Sequence, residues 1–128
     1  MDSPPWPDVE QVVIEYLTLA TGTPASARLP HDLESELPRY RVGSVGGSDD
    51  TITDSAGVDV EAFASTRGEA HDLAEMARQA MFNMPANPIT RSLVDFVTTR
   101  SRPTWVSYDN PKIQRFTSTF DVELRRPR

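Results

Sequence analysis

The chain has no cysteine, only two histidines (His31 and His71) and a single lysine, Lys112. Without thiols there is no disulfide framework, no thiolate nucleophile and no thiolate metal site. No run of about 18 consecutive apolar residues occurs, which argues against a membrane-spanning helix. The opening Met1-Asp2-Ser3-Pro4-Pro5 has neither the basic nor the apolar region of a secretory signal. We therefore expect a soluble chain made in the cytoplasm, held together by packing and by partner subunits.

What is present is ordinary globular material. The 128 residues are 38% hydrophobic and 25% charged, a balance that supports a packed core. One domain over residues 1–128 is expected, with residues 125–128 as a flexible basic end. Eleven prolines imply many broken connections. The net charge of −6 is unevenly spread: residues 1–64 carry 3 Arg against 12 Asp and Glu, whereas residues 65–128 carry 10 Arg or Lys against 7 acids. An acidic chain is a poor general binder of nucleic acid, because phosphate affinity comes mainly from cations. Opposite-sign halves suit head-to-tail association of copies.

Val9, Val12, Val13, Tyr16, Leu17 and Ala20 lie on one helical stripe. Asp8 is the expected N-cap with Gln11 three residues on, Gly22 the stop, and Pro24 prevents resumption. A short strand is expected near Ala25–Leu29, then a proline-punctuated acidic loop. Arg39–Val45 alternates as a strand, with Tyr40 and Val42 on one face and Arg39 and Arg41 on the other. The Gly46-Gly47-Ser48-Asp49-Asp50 stretch reads as a hairpin tip. A second strand runs from Ile52 or Gly57 to Ala64, with Val58, Val60 and Ala62 facing in and Asp59, Glu61 and Phe63 facing out. Antiparallel pairing of the two would set Arg39 and Arg41 opposite Asp59 and Glu61.

Thr66 and Glu69 form a capping box ahead of the stripe Ala70, Leu73, Ala74, Ala77, Ala80, Met81 and Met84, so a second helix is expected over Arg67–Asn83. Ile89–Thr99 fits neither period cleanly. Trp105, Val106 and Tyr108 suggest a short strand before the Asp109-Asn110-Pro111 turn. Phe116, Phe120, Val122 and Leu124 alternate with polar residues in a half-buried closing strand, with Ser118 the one polar inner position. This order predicts an α+β fold: a mixed or antiparallel sheet of about four or five strands with two helices packed on one face.

Tests for reactive chemistry return little. His71 and Glu75 share a helix face, but two ligands do not make a metal site and the H-E-x-x-H pattern is absent. His31 stands alone in its loop. Gly43–Ser48 lacks the G-K-[ST] ending and the following helix of a phosphate loop. Asp49, Asp50 and Asp54 lack the twelve-residue calcium pattern. No G-x-S-x-G elbow occurs. We expect neither enzymatic activity, nor a cofactor, nor a metal.

In order and spacing the segments resemble the tail terminator proteins of long-tailed bacteriophages, particularly those infecting actinobacteria. The resemblance rests on Pro7-Asp8-Val9-Glu10, on Leu37-Pro38-Arg39-Tyr40-Arg41-Val42 leading to Gly46-Gly47, on Val58–Ala64 running into Thr66–Ala74, and on the ending Arg115-Phe116-Thr117 to Val122-Glu123-Leu124. The segment Ile89–Tyr108 departs from the family pattern in being longer and more basic. The resemblance implies a ring, usually of six subunits, that binds the last ring of the major tail tube protein and stops polymerisation. Its other side would join a head-side connector or neck protein, with DNA passing through the lumen without specific binding. Location would be the head-proximal end of the virion tail. Within that reading, Arg39, Arg41, Asp49, Asp50, Asp59, Glu61, Phe63, Arg100, Arg102, Arg115, Arg125 and Arg126 are the expected subunit or tube contacts. A neck or head-closure protein shares the same features, and a small ligand-binding α+β domain would instead require a deep apolar pocket.

Overall fold

A computed structural model describes residues 6–49 and 53–125. Helix α1 spans Val9–Thr21 and starts where expected: the Asp8 side chain accepts from the Gln11 amide at 3.3 Å. It ends at Gly22, whose φ of 73° lies in the left-handed region and whose N–H reaches the Thr18 carbonyl at 3.1 Å. Val9, Val13, Tyr16 and Leu17 are buried, while Ala20, the last member of the stripe, is exposed. Helix α2 spans Arg67–Phe82, with the Thr66 hydroxyl accepting from the Glu69 amide at 3.2 Å. Its alanines, Ala70, Ala74 and Ala77, are buried and let the helix sit close on the sheet.

Five strands form one sheet: β1 (Ala25–Ser26), β2 (Arg39–Asp49), β3 (Thr53–Ala64), β4 (Val94–Trp105) and β5 (Gln114–Arg125), in the order β1-β2-β3-β5-β4. Only the β1–β2 contact is parallel, so the sheet is mixed. Both helices lie on one face, α1 over β1, β2 and β3 and α2 over β3, β5 and β4. The architecture is the expected α+β class.

The main core is the inward alternation of the central strands, Val58, Val60 and Ala62 from β3 and Phe116, Phe120, Val122 and Leu124 from β5, against the helix stripes. Two tyrosines anchor it through their polar ends. Tyr16 donates to the Ala80 carbonyl and Tyr40 to the Leu73 carbonyl, each at 2.6 Å. Burial pushes both phenols up from the ordinary tyrosine range, Tyr40 most, with the Thr21 hydroxyl pulling modestly the other way on Tyr40. Ser118, the polar inner position of β5, donates to the Val60 carbonyl at 3.2 Å.

Several features differ from the expectations: β2 runs on to Asp49, so Gly46–Asp49 lie in the strand rather than at the hairpin tip, and α2 ends at Phe82, one residue before Asn83. β1 stops at Ser26 rather than Leu29, because the Ser26 hydroxyl turns to the Arg28 carbonyl at 2.6 Å and Pro30 has no N–H to pair. The ambiguous stretch resolves into turns up to Leu93 and then one long strand, so the short strand expected at Trp105–Tyr108 is instead the end of β4. Its pattern was unreadable because its register shifts at three places, between Val94 and Phe96, Thr99 and Ser101, and Ser101 and Thr104. Each shift swaps which residues face inward. Pro103 is accommodated because β4 is an edge strand.

Phe63 is the most consequential difference. It occupies an outward position of β3, as the alternation requires, yet it is fully buried. The loops before β2 and before β5 fold over that end of the sheet, and Leu33, Phe63 and Ile113 make a second small core with Leu29, Leu37 and Tyr108. Tyr108 meets Phe63 edge to face, ring centroids 5.3 Å apart.

Candidate functional site

The sheet face away from the helices gathers most of the expected contact residues, and their positions follow from strand register. Arg41 on β2 stands opposite Glu61 on β3, which stands opposite Thr117 on β5. Glu61 takes an ion pair from Arg41 at one carboxylate oxygen and from Arg115 at the other, the latter at 3.2 Å. Glu61 is buried between the two guanidinium groups, whereas half of the Arg41 side chain remains in solvent. Arg115 also donates to the Ser107 carbonyl at 2.6 Å and lies over the Tyr108 ring. It therefore clamps the loop that roofs Phe63.

The rest of the expected pairing is shifted. Arg39 faces Phe63, and Asp59 faces Gly43, so only Arg41 and Glu61 meet as foreseen. Arg39 reaches the Ser26 hydroxyl at 3.3 Å, and Asp59 accepts from Thr119 at 2.6 Å. Arg100 leans back across the sheet onto Asp121, with Nε at 3.1 Å from one oxygen, and the carboxylate raises the guanidinium pKa further. Arg125 pairs with Asp95. Arg102 is exposed and makes no ion pair among the described residues. Asp50 and Arg126 lie outside the described residues, and for Asp49 only the backbone placement opposite Asp54 is described. Phe63 is withdrawn from the surface as described above.

The open end of this face lies around Gly57, where the exposed Val45 and the Arg100 guanidinium both come so close that a Cβ on Gly57 would sit 2.8 Å from each. Sequence reasoning missed this packing, along with the exposed apolar side chains on and near β4: Ile89, Phe96, Trp105 and Val106. The signal was present in the irregular Ile89–Tyr108 segment, whose apolar residues obeyed neither period.

A depression of about 220 Å³ between the start of α1 and the β2–β3 hairpin is lined by Val9, Ser44, Gly46, Gly47, Asp54 and Ala56, below the usual range for ligand pockets. Among the described residues, no group of three or more His, Asp or Glu is placed to hold a metal ion. His71 instead packs edge to face against Phe116 at 5.4 Å. No helix of the described residues is long and apolar enough to cross a membrane.

No known protein family and no curated protein matches the chain. Among solved structures, a chain from the virion of a native gene transfer agent particle is similar at 18% identity and a TM-score of 0.41, over 85% of this chain and 84% of that one.

Proposed function

We propose that this chain is a structural subunit of a long-tailed phage or phage-like particle, acting as the tail terminator: a ring that caps the tail tube, ends its growth and offers its other side to the head-side connector. The observation that carries the reading is spatial. The segments on which the family resemblance rests, Leu37–Val42, Val58–Ala64 with the Thr66–Ala74 helix start, and Arg115–Leu124, fold as three adjacent strands and the helix packed on them. They build one continuous piece of the molecule rather than scattered matches.

Such a protein works by geometry and performs no reaction. A closed ring needs two different patches per subunit, and its two rims present different surfaces to tube and connector. The Arg41–Glu61–Arg115 cluster and the Arg100–Asp121 and Arg125–Asp95 pairs keep the charges on the open face mutually neutralised. A surface of that kind lets DNA pass without holding it, because unneutralised cations are what grip phosphate.

The test is reconstitution with tails from particles lacking this chain. Addition of the purified protein should convert tubes of variable length into tubes of uniform, capped length that join heads. Tubes that stay variable and uncapped refute the terminator role, and binding to connectors alone would assign the chain to the neck instead.

A further inference from the structure

The two edges of the sheet are both left open, and they match. On one side β1 covers β2 only at Tyr40 and Arg41, so on that side β2 from Val42 to Asp49 has no strand beside it among the described residues. On the other side β4 pairs, among the described residues, with β5 alone, its ladder broken at three register shifts. An edge strand presents unpaired backbone groups to another chain; the register shifts and Pro103 of β4 leave Phe96–Thr99 as its regular stretch for such pairing.

We infer that β4 of one copy pairs with the open stretch of β2 of the next, carrying one continuous sheet around the ring. This rests on the proposed ring and deepens it. Strand direction supports the joint. β2 to β3, β3 to β5 and β5 to β4 are three antiparallel steps, so β2 and β4 run in opposite directions. With the strands running along the ring axis, rotation about it preserves their direction in every copy. The neighbouring β4 therefore meets β2 antiparallel, the more stable of the two pairings.

The levels also agree. Following the register across the sheet, Ser44, Val58, Phe120 and Thr99 form one row, and Gly43, Asp59, Thr119 and Ser101 the next. The open part of β2 is thus level with Val94–Ser101. Below it, β1 blocks β2 where β4 carries Thr104 and Trp105, just past Pro103, which has no N–H to donate. Each edge is open where the other is able to pair. Exposed side chains add to the fit: Val45 on the β2 edge, Phe96 on the β4 edge. Charge does as well: the stretch of sequence joining β2 to β3 is acidic, with Asp49, Asp50 and Asp54, while the exposed Arg91 and Arg102 lie on β4 and its approach.

The absence of cysteine makes the test clean. Single variants Ser44→Cys on β2 and Thr98→Cys, Ser101→Cys or Thr104→Cys on β4 all fall at exposed positions. Facing residues of antiparallel strands have Cα atoms roughly 4.5–5.5 Å apart, within the roughly 4.4–6.8 Å span of a disulfide. Mixing the Ser44→Cys chain with each β4 variant under mild oxidation should give mixed covalent dimers at one β4 position or two neighbouring ones. In the unmodified protein, amide exchange over residues 42–48 and 97–101 should slow roughly tenfold or more on assembly. A ring, verified by mass and images, with neither mixed dimers nor that protection overturns the edge pairing and leaves the terminator reading standing. Same-position dimers alone overturn it in favour of a two-fold contact. Cross-linked rings that fail to cap tubes keep the edge pairing and remove the terminator role, and a chain that stays monomeric even on tail tubes removes both.

Discussion

Replacing Phe63 with alanine tests the least expected feature of the fold. A phenylalanine on the polar face of an open sheet would be nearly free to lose. Here the ring is fully buried among Leu33, Ile113 and Tyr108. Phe→Ala in a closed core costs about 3–5 kcal/mol from lost transfer energy and the residual cavity, and the edge-to-face contact with Tyr108 belongs to that loss at about 0.5–1.5 kcal/mol. Against a total stability of about 5–15 kcal/mol for a small domain this is a large fraction. At about 4 °C per kcal/mol for a chain of this size, the melting temperature should fall by roughly 12–20 °C. Phe63→Leu keeps most of the volume and should cost about 1–1.5 kcal/mol. Thermal and urea unfolding followed by circular dichroism read both numbers. Because the second core is roofed by two loops, some of the penalty can appear as local opening. Amide exchange should then accelerate over residues 29–37 and 108–113 before it does in β3. A Phe63→Ala change below about 1 kcal/mol, with those loops unaltered, would falsify the roofed arrangement.

Glu61→Ala removes the carboxylate shared by Arg41 and Arg115 and leaves both guanidinium groups unpaired there. The cost should be about 1–3 kcal/mol in urea unfolding, below the loss for a fully buried pair because Arg41 is half in solvent. Glu61→Gln should lose less, and equal stability of all three proteins would show that the cluster contributes nothing. Tyr40 and Tyr16 have pKa values raised by burial in the folded chain, so the fold favours the neutral phenols. Their contribution is complete below the unfolded tyrosine value of about 10 and is lost as pH rises beyond it, for Tyr40 by up to about 1.4 kcal/mol per pH unit. Denaturant midpoints measured from pH 8 to 11 should fall above about pH 10, and Tyr40→Phe should flatten that fall. An unchanged slope in Tyr40→Phe would mean that another group drives the transition.

The parts of the fold legible in the sequence are those where a local rule and the tertiary answer coincide. Asp8, Gly22, Thr66 and Glu69 cap the helices as their side-chain chemistry dictates, and β5 shows an unbroken alternation because it is paired on both sides and buried on one face. β4 was illegible for the opposite reason. An edge strand with three register shifts and a proline has no single period to detect. Phe63 failed differently: alternation gave its face correctly, but the burial of that face depends on loops more than 20 residues away in the chain, Leu33 on one side and Ile113 on the other. No periodicity within β3 carries that information.

The charge division along the chain shows how far a one-dimensional reading carries into space. The acidic first half and the more basic second half do not become two opposed surfaces, because β3 from the first half pairs along its whole length with β5 from the second. Glu61 and Asp59 are thereby joined to Arg115 and Thr119, and the sheet face cancels much of the asymmetry internally. Exposed cations remain on one side of the sheet, Arg102 on β4 and Arg91 on its approach, while the sequence joining β2 to β3 is acidic. An assembly that joins these two edges, as proposed, would bring the cationic side of β4 to the acidic β2–β3 segment of the next copy. Two independent features of the sheet, unpaired backbone and residual charge, then point to one contact between copies.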